Sequence, residues 1–123
     1  MTGHVSGERF EAYLVDDGLV RFEWPHGVTI SRADAQESMA AIATLTGNVA
    51  SPVLVDLRPV TAVDREARRI FASTPVTSRQ ALLVESPLSK TIGNFFLTLS
   101  RPTMPVKLFD DEAAAIAWLH DDR

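Results

Sequence analysis

Residues 53–57, Val53-Leu54-Val55-Asp56-Leu57, form an aliphatic run broken only by Asp56, and Asp64 follows at a helix boundary. Such a run is too short for a buried helix. Its composition suits a strand covered on both faces, as inside a parallel sheet. An Asp at the boundary accepts hydrogen bonds from the free N–H groups of a first helical turn. Ala67, Ile70 and Phe71 then share one helical face. Strand, loop at 58–63 and helix make a βα unit, which restricts the chain to layered α/β architectures with right-handed crossovers.

The flanking sequence extends that unit. Phe10, Ala12 and Leu14 alternate with Arg9, Glu11 and Tyr13, and residues 19–24 resume the alternation after the turn signal Asp16-Asp17-Gly18. That pattern predicts an antiparallel hairpin. Residues 28–30 add a short extended piece. Ser31 offers an N-cap with Asp34 three residues on, and Gly47 stops the helix. Downstream, residues 81–84 read as a strand, and Pro87 fits the first turn of a further helix. Residues 106–109 read as the last strand, with Asp110 capping a closing helix that runs to His120. The order β-β-α-β-α-β-α-β-α predicts one α/β domain over residues 9–123. It contains a single mixed sheet of about five strands with four helices, preceded by a loose tail at 1–8.

Bulk properties narrow the function classes. At 123 residues the chain fits one domain, and 46% hydrophobic against 23% charged residues is ordinary for a globular protein. The formal charge of −4 argues against non-specific nucleic-acid binding. Cysteine is absent, which removes disulfides, a thiolate nucleophile and zinc–sulfur sites. The first residues carry neither a basic start nor an apolar run, and no stretch approaches the ~18 apolar residues of a membrane span. A cytoplasmic protein with no membrane span is therefore expected.

Residues 53–67 resemble the central motif of STAS domains, the SpoIIAA-like fold of bacterial anti-sigma-factor antagonists, and the element order is similar too. The resemblance implies a helix-capping Asp, matched by Asp64, followed by a hydroxyl residue open to phosphorylation. Arg65 occupies that second position here, and the nearest hydroxyl is Thr61 in the preceding loop. Ile92-Gly93-Asn94-Phe95-Phe96-Leu97, Arg101-Pro102 and Leu108-Phe109-Asp110-Asp111-Glu112-Ala113 are similar to a small actinobacterial family grouped under a combined STAS/SEC14 label. The STAS side implies a regulatory module acting through protein contacts, as a homodimer or with another protein. The SEC14 side implies, as the alternative, a carrier or sensor of a small anionic or lipid-like ligand.

Two groups of candidate residues follow. Ligands of open α/β sheets sit beyond the carboxyl ends of parallel strands, beside helix N-termini. Arg58, Arg65, Ser86, Ser89 and Lys90 are the candidates for an anion there. The competing reading pairs Arg58 and Arg65 with Asp56, Asp64 or Glu66 and makes the serines helix caps. In the helix after Pro87, Leu88, Ile92, Phe95, Phe96 and Leu99 form an apolar stripe. Two adjacent phenylalanines cannot both face one way on a helix, so Phe95, Phe96 and Leu97 are the interface candidates. Asp56 is expected to be structural. His4, His26 and His120 lack metal-ligand spacing, and no nucleophile elbow occurs. No catalytic residue, metal or cofactor is therefore assigned, and the chain is not expected to be an enzyme.

Overall fold

The alternation at the start of the chain becomes a three-stranded meander in the computed structural model, which describes residues 3–121. Strands β1 (Gly3–Ser6), β2 (Glu11–Leu14) and β3 (Val20–Glu23) pair antiparallel, with Ala12 opposite both Val5 and Phe22. The turn between β2 and β3 places Asp17 and Gly18 at positive φ, 74° and 80°, a region that Gly enters freely and Asp tolerates. Residues 3–6, expected within a loose tail, are therefore an edge strand; Met1 and Thr2 lie outside the described residues. Only Val5 of β1 reaches the core, so its sequence shows too little alternation to announce a strand.

The remaining elements are β4 (Val28–Ile30), α1 (Arg32–Thr46), β5 (Ser51–Asp56), β6 (Val60–Val63), α2 (Arg65–Ala72), β7 (Thr77–Leu83), α3 (Pro87–Leu99), β8 (Val106–Phe109) and α4 (Glu112–Leu119). β3, β5, β7 and β8 pair in parallel, giving a six-stranded mixed sheet in the order β1-β2-β3-β5-β7-β8. The aliphatic run at 53–57 supplies its centre, where Val53 and Leu54 are buried from opposite faces. Outside this sheet, β4 and β6 form a parallel two-stranded ribbon. β6 falls in the segment expected as a loop. Its partner lies some thirty residues upstream, and a pairing that distant leaves no local signal.

Helices α1, α2 and α3 cover one face of the sheet, burying Ala35, Ile42, Ala67, Ile92 and Phe96 against Phe22, Val55 and Leu82. Helix α4 covers the other face, where Ala115 and Leu119 meet Leu54, Ala81 and Leu83. The caps that start these helices follow the sequence closely. Ser31 and Asp34 form a reciprocal capping box at α1, and Gly47 closes that helix at φ 65°. Ser86 and Ser89 form a second box at α3, with Pro87 in the first turn. The cap of α4 is Asp111, whose side chain accepts from the Ala114 N–H, one residue later than the expected Asp110. No helix among the described residues is long and apolar enough to cross a membrane.

Candidate functional site

The expected anion site lies where β5 and β7 end and α2 and α3 begin. Asp56, at the end of β5, holds Arg58 through Arg58 N at 3.0 Å, Nε at 2.8 Å and Nη2 at 2.9 Å. The two residues staple the bend into β6. Burial raises the Asp56 carboxyl, but the Arg58 hydrogen bonds and charge outweigh it and hold the group below the usual carboxylate range. Ser86 and Ser89 are also committed. The Ser89 hydroxyl is fully buried and accepts from the backbone N–H groups of Glu85 at 2.8 Å and Ser86 at 3.0 Å. Thr61 directs its hydroxyl to the carbonyl oxygens of Val28 at 3.0 Å and Gly27 at 3.1 Å.

Arg65 and Lys90 remain exposed on their helices. They line different depressions: Arg65 lies with Arg68, Arg69 and Leu99, and Lys90 with Asn94, Phe109 and Asp110. Of the five residues expected to converge, the structure thus brings Ser86 and Ser89 together and gives Arg58 to Asp56. Asp64 caps α2 by position only, since its side chain makes no cap hydrogen bond.

Helix α3 separates its apolar residues onto two faces. Ile92 and Phe96 point into the core, and Gly93 lets the helix approach β8 so closely that a Cβ there would lie 2.8 Å from Leu108 Cδ2. Leu88 and Phe95, each 49% exposed, and Leu99, 65% exposed, lie outward. Of the interface candidates, Phe95 is on the surface and Leu97 is partly covered. Phe96, 7% exposed, belongs to the core rather than to a contact surface.

Beside this stripe a cleft opens between α2, α3 and β6. One part of it is lined by Thr61, Val63, Arg68, Leu88, Thr91 and Phe95, and another by Arg65, Arg68, Arg69, Leu99 and Ser100. Arg68 belongs to both. Its Nη1 donates to Val63 O at 2.8 Å, whereas its Nε is covered and has no hydrogen-bond partner. Below lies an apolar cavity of about 40 Å³, lined by Ile30, Val55, Leu57, Phe71 and Phe96 and bordered by Arg68. Sequence reasoning missed Arg68, Arg69, Leu88 and Leu99 as surface features. Two signals pointed to them: arginines at the i, i+3, i+4 spacing of one helix face, and Gly93 marking the side of α3 pressed on the sheet.

Away from the cleft, an ion pair ties the approach to β2 to the start of α1. Arg9 bonds Asp34 through Nε at 3.2 Å and Nη2 at 2.6 Å, joining the start of β2 to the cap of α1. Burial raises the Asp34 carboxyl, but bonds from Arg9 and Ser31 outweigh it and leave it below the ordinary value. Its folded pKa being depressed, Asp34 contributes stability above the unfolded value, about 4, and loses it as pH falls through the folded pKa. Asp56 behaves the same way. We therefore expect the Tm to hold level from neutral pH to about 5 and to fall steeply below about 4. In a thermal-melt series against pH, the Asp34→Asn variant should show a shallower acid limb; an unchanged limb would remove Asp34 as its cause. His4 stacks on Tyr13 with centroids 4.6 Å apart and contacts Glu11, on the open face of β1 and β2. Among the described residues, no three His, Asp or Glu side chains form a metal-binding group.

Comparison with known proteins agrees with this architecture. A family model described as a domain of unknown function (DUF7793) matches residues 13–122. No curated protein matches the chain. An uncharacterized protein of the DUF3478 family with a SpoIIAA-like fold, from Shewanella loihica PV-4, aligns with a TM-score of 0.59 at 14% identity, over 97% of this chain and 92% of that one. An anti-sigma factor antagonist from Mycobacterium paratuberculosis gives 0.53 at 15% identity, over 98% and 94%. A protein with unknown function from Arthrobacter sp. FB24 is 33% identical over 94% of this chain and 96% of that chain, with a TM-score of 0.36. The first two likenesses show a SpoIIAA-like, STAS-type fold.

Proposed function

The chain belongs to the DUF7793 family, a domain of unknown function, and we propose that it acts as a non-catalytic, STAS-like regulatory module working through protein contacts on α3. The observation that carries this reading is the outward row Leu88, Phe95 and Leu99. Those side chains keep their apolar surface in water beside the arginines of α2. Apolar side chains gathered on one helix face mark a contact surface more often than scattered ones do. The anti-sigma factor antagonist among the structural neighbours supports the regulatory class. With Arg65 after the capping Asp64, the module would not be switched by phosphorylation at that position.

The alternative, a small-ligand carrier, draws on the apolar cavity and the unpartnered Nε of Arg68. Its size weighs against it: about 40 Å³ is far below the ~300 Å³ at which ligand pockets begin. Phe95→Glu separates the two readings. The position is exposed, so stability should change by less than about 0.5 kcal/mol. Partner capture from the native host should nevertheless be lost. Native mass spectrometry of gently purified protein reports in parallel whether the chain self-associates, as expected for a homodimer, or retains a small molecule. Undiminished capture by Phe95→Glu would sink the α3 assignment.

A further inference from the structure

We propose that the cleft between α2 and α3 docks an acidic amphipathic helix of a partner protein. This rests on the reading of α3 as a contact surface and specifies what that surface recognises. The cleft has two unlike walls. On α3, Leu88, Phe95 and Leu99 follow one line over eleven residues, about 16 Å of helix or three turns. On α2, Arg65, Arg68 and Arg69 occupy one side, with Glu66 the single acid in that helix. Glu66 reaches Arg69 at only 3.5 Å, and Arg65 makes no ion pair among the described residues. Arg68 sits where the walls meet, with Nη1 held by Val63 and a covered, unpartnered Nε. A helix laid along the cleft would set its apolar face on the α3 residues. Carboxylates on its flank would meet the arginines in the charge-assisted geometry that guanidinium favours.

Charge and shape disfavour the other occupants. A second copy of this chain joined symmetrically across the cleft would add its own Arg65, Arg68 and Arg69 to the same interface and bring only Glu66 of α2 as a counter-charge, so a homodimer is better served by another face. An anionic membrane would have to meet a chain of net charge −4, and it presents a plane to a surface that is recessed between two helices.

The test uses the full chain and two stapled helical probes of about 12 residues. Both carry the same leucine stripe, flanked by glutamates in one and by lysines in the other. Fluorescence anisotropy should show the glutamate probe binding at least about tenfold more tightly than the lysine probe. Its affinity should fall about tenfold or more when salt rises from about 50 to about 500 mM. The double variant Arg65→Glu/Arg69→Glu, at exposed positions that leave the fold intact, should abolish that preference. Equal binding of both probes, lost together in Phe95→Glu, would overturn the charge selection while leaving α3 as a contact face. Binding of neither probe, with partner capture still dependent on Phe95, would likewise overturn the acidic helix and spare the contact face. Sedimentation with anionic vesicles that requires Arg65, with no probe bound, would overturn both.

Discussion

Phe22→Ala is expected to lower the free energy of unfolding by about 3–5 kcal/mol, the range for deleting a buried aromatic ring. Phe22 is 2% exposed on β3, between β2 and β5. Its ring lies 5.2 Å from Phe10 and 6.2 Å from Trp24. Phe10 is held between Gly7, where an added Cβ would meet its ring, and Trp24 at 5.2 Å, so filling the gap would cost it both contacts. A site that cannot collapse keeps its cavity and pays the upper part of the range. Urea unfolding at neutral pH measures the difference. A loss below about 1 kcal/mol would mean that the aromatic cluster is not rigid and repacks freely.

Ser89→Ala should cost about 2 kcal/mol or more, a large effect for removing one oxygen. The Ser89 hydroxyl accepts from the Glu85 and Ser86 N–H groups at the end of β7. Each buried donor left without a partner costs about 1–3 kcal/mol, with some relief where water reaches the exposed Glu85. The same change also takes apart the reciprocal box with Ser86. Chemical denaturation without any ligand present is the informative measurement. A cap residue destabilises the free protein, whereas a residue kept for an anion would leave the free protein's stability unchanged. An unaltered denaturation midpoint would therefore return Ser89 to the list of binding candidates.

What the sequence made legible follows the range of the forces involved. The capping boxes at Ser31 and Ser86 and the stop at Gly47 act within a turn, and each was readable from residues three or four apart. The run at 53–57 announced a central parallel strand because both its faces are covered. Strand β6 escaped because it exists through Val28–Ile30, a distant partner. Strand β1 escaped because an edge strand needs only one inward side chain, Val5. The surface of α3 was half legible. Its apolar residues run around most of the helix, so periodicity alone could not say which face meets the sheet. Gly93 decides that, putting Ile92 and Phe96 inside and Leu88, Phe95 and Leu99 outside. The cleft itself joins α2 to α3 across the strand between them, a proximity that belongs to topology rather than to any local pattern.

The small β4–β6 ribbon has a mechanical meaning beyond its size. It ends at Ile30 and Val63, the residues just before the caps of α1 and α2, and Asp64 N donates to Ile30 O at 2.9 Å. Both helices therefore set out from one rail and, packed on each other, form a single arm. Helix α3 is a second arm, rooted separately at the end of β7. Residues 57–59 join β5 to that rail, and the Asp56–Arg58 pair pins their bend. A substitution in the ribbon would therefore disturb the starts of α1 and α2 together, while α3 keeps its own root.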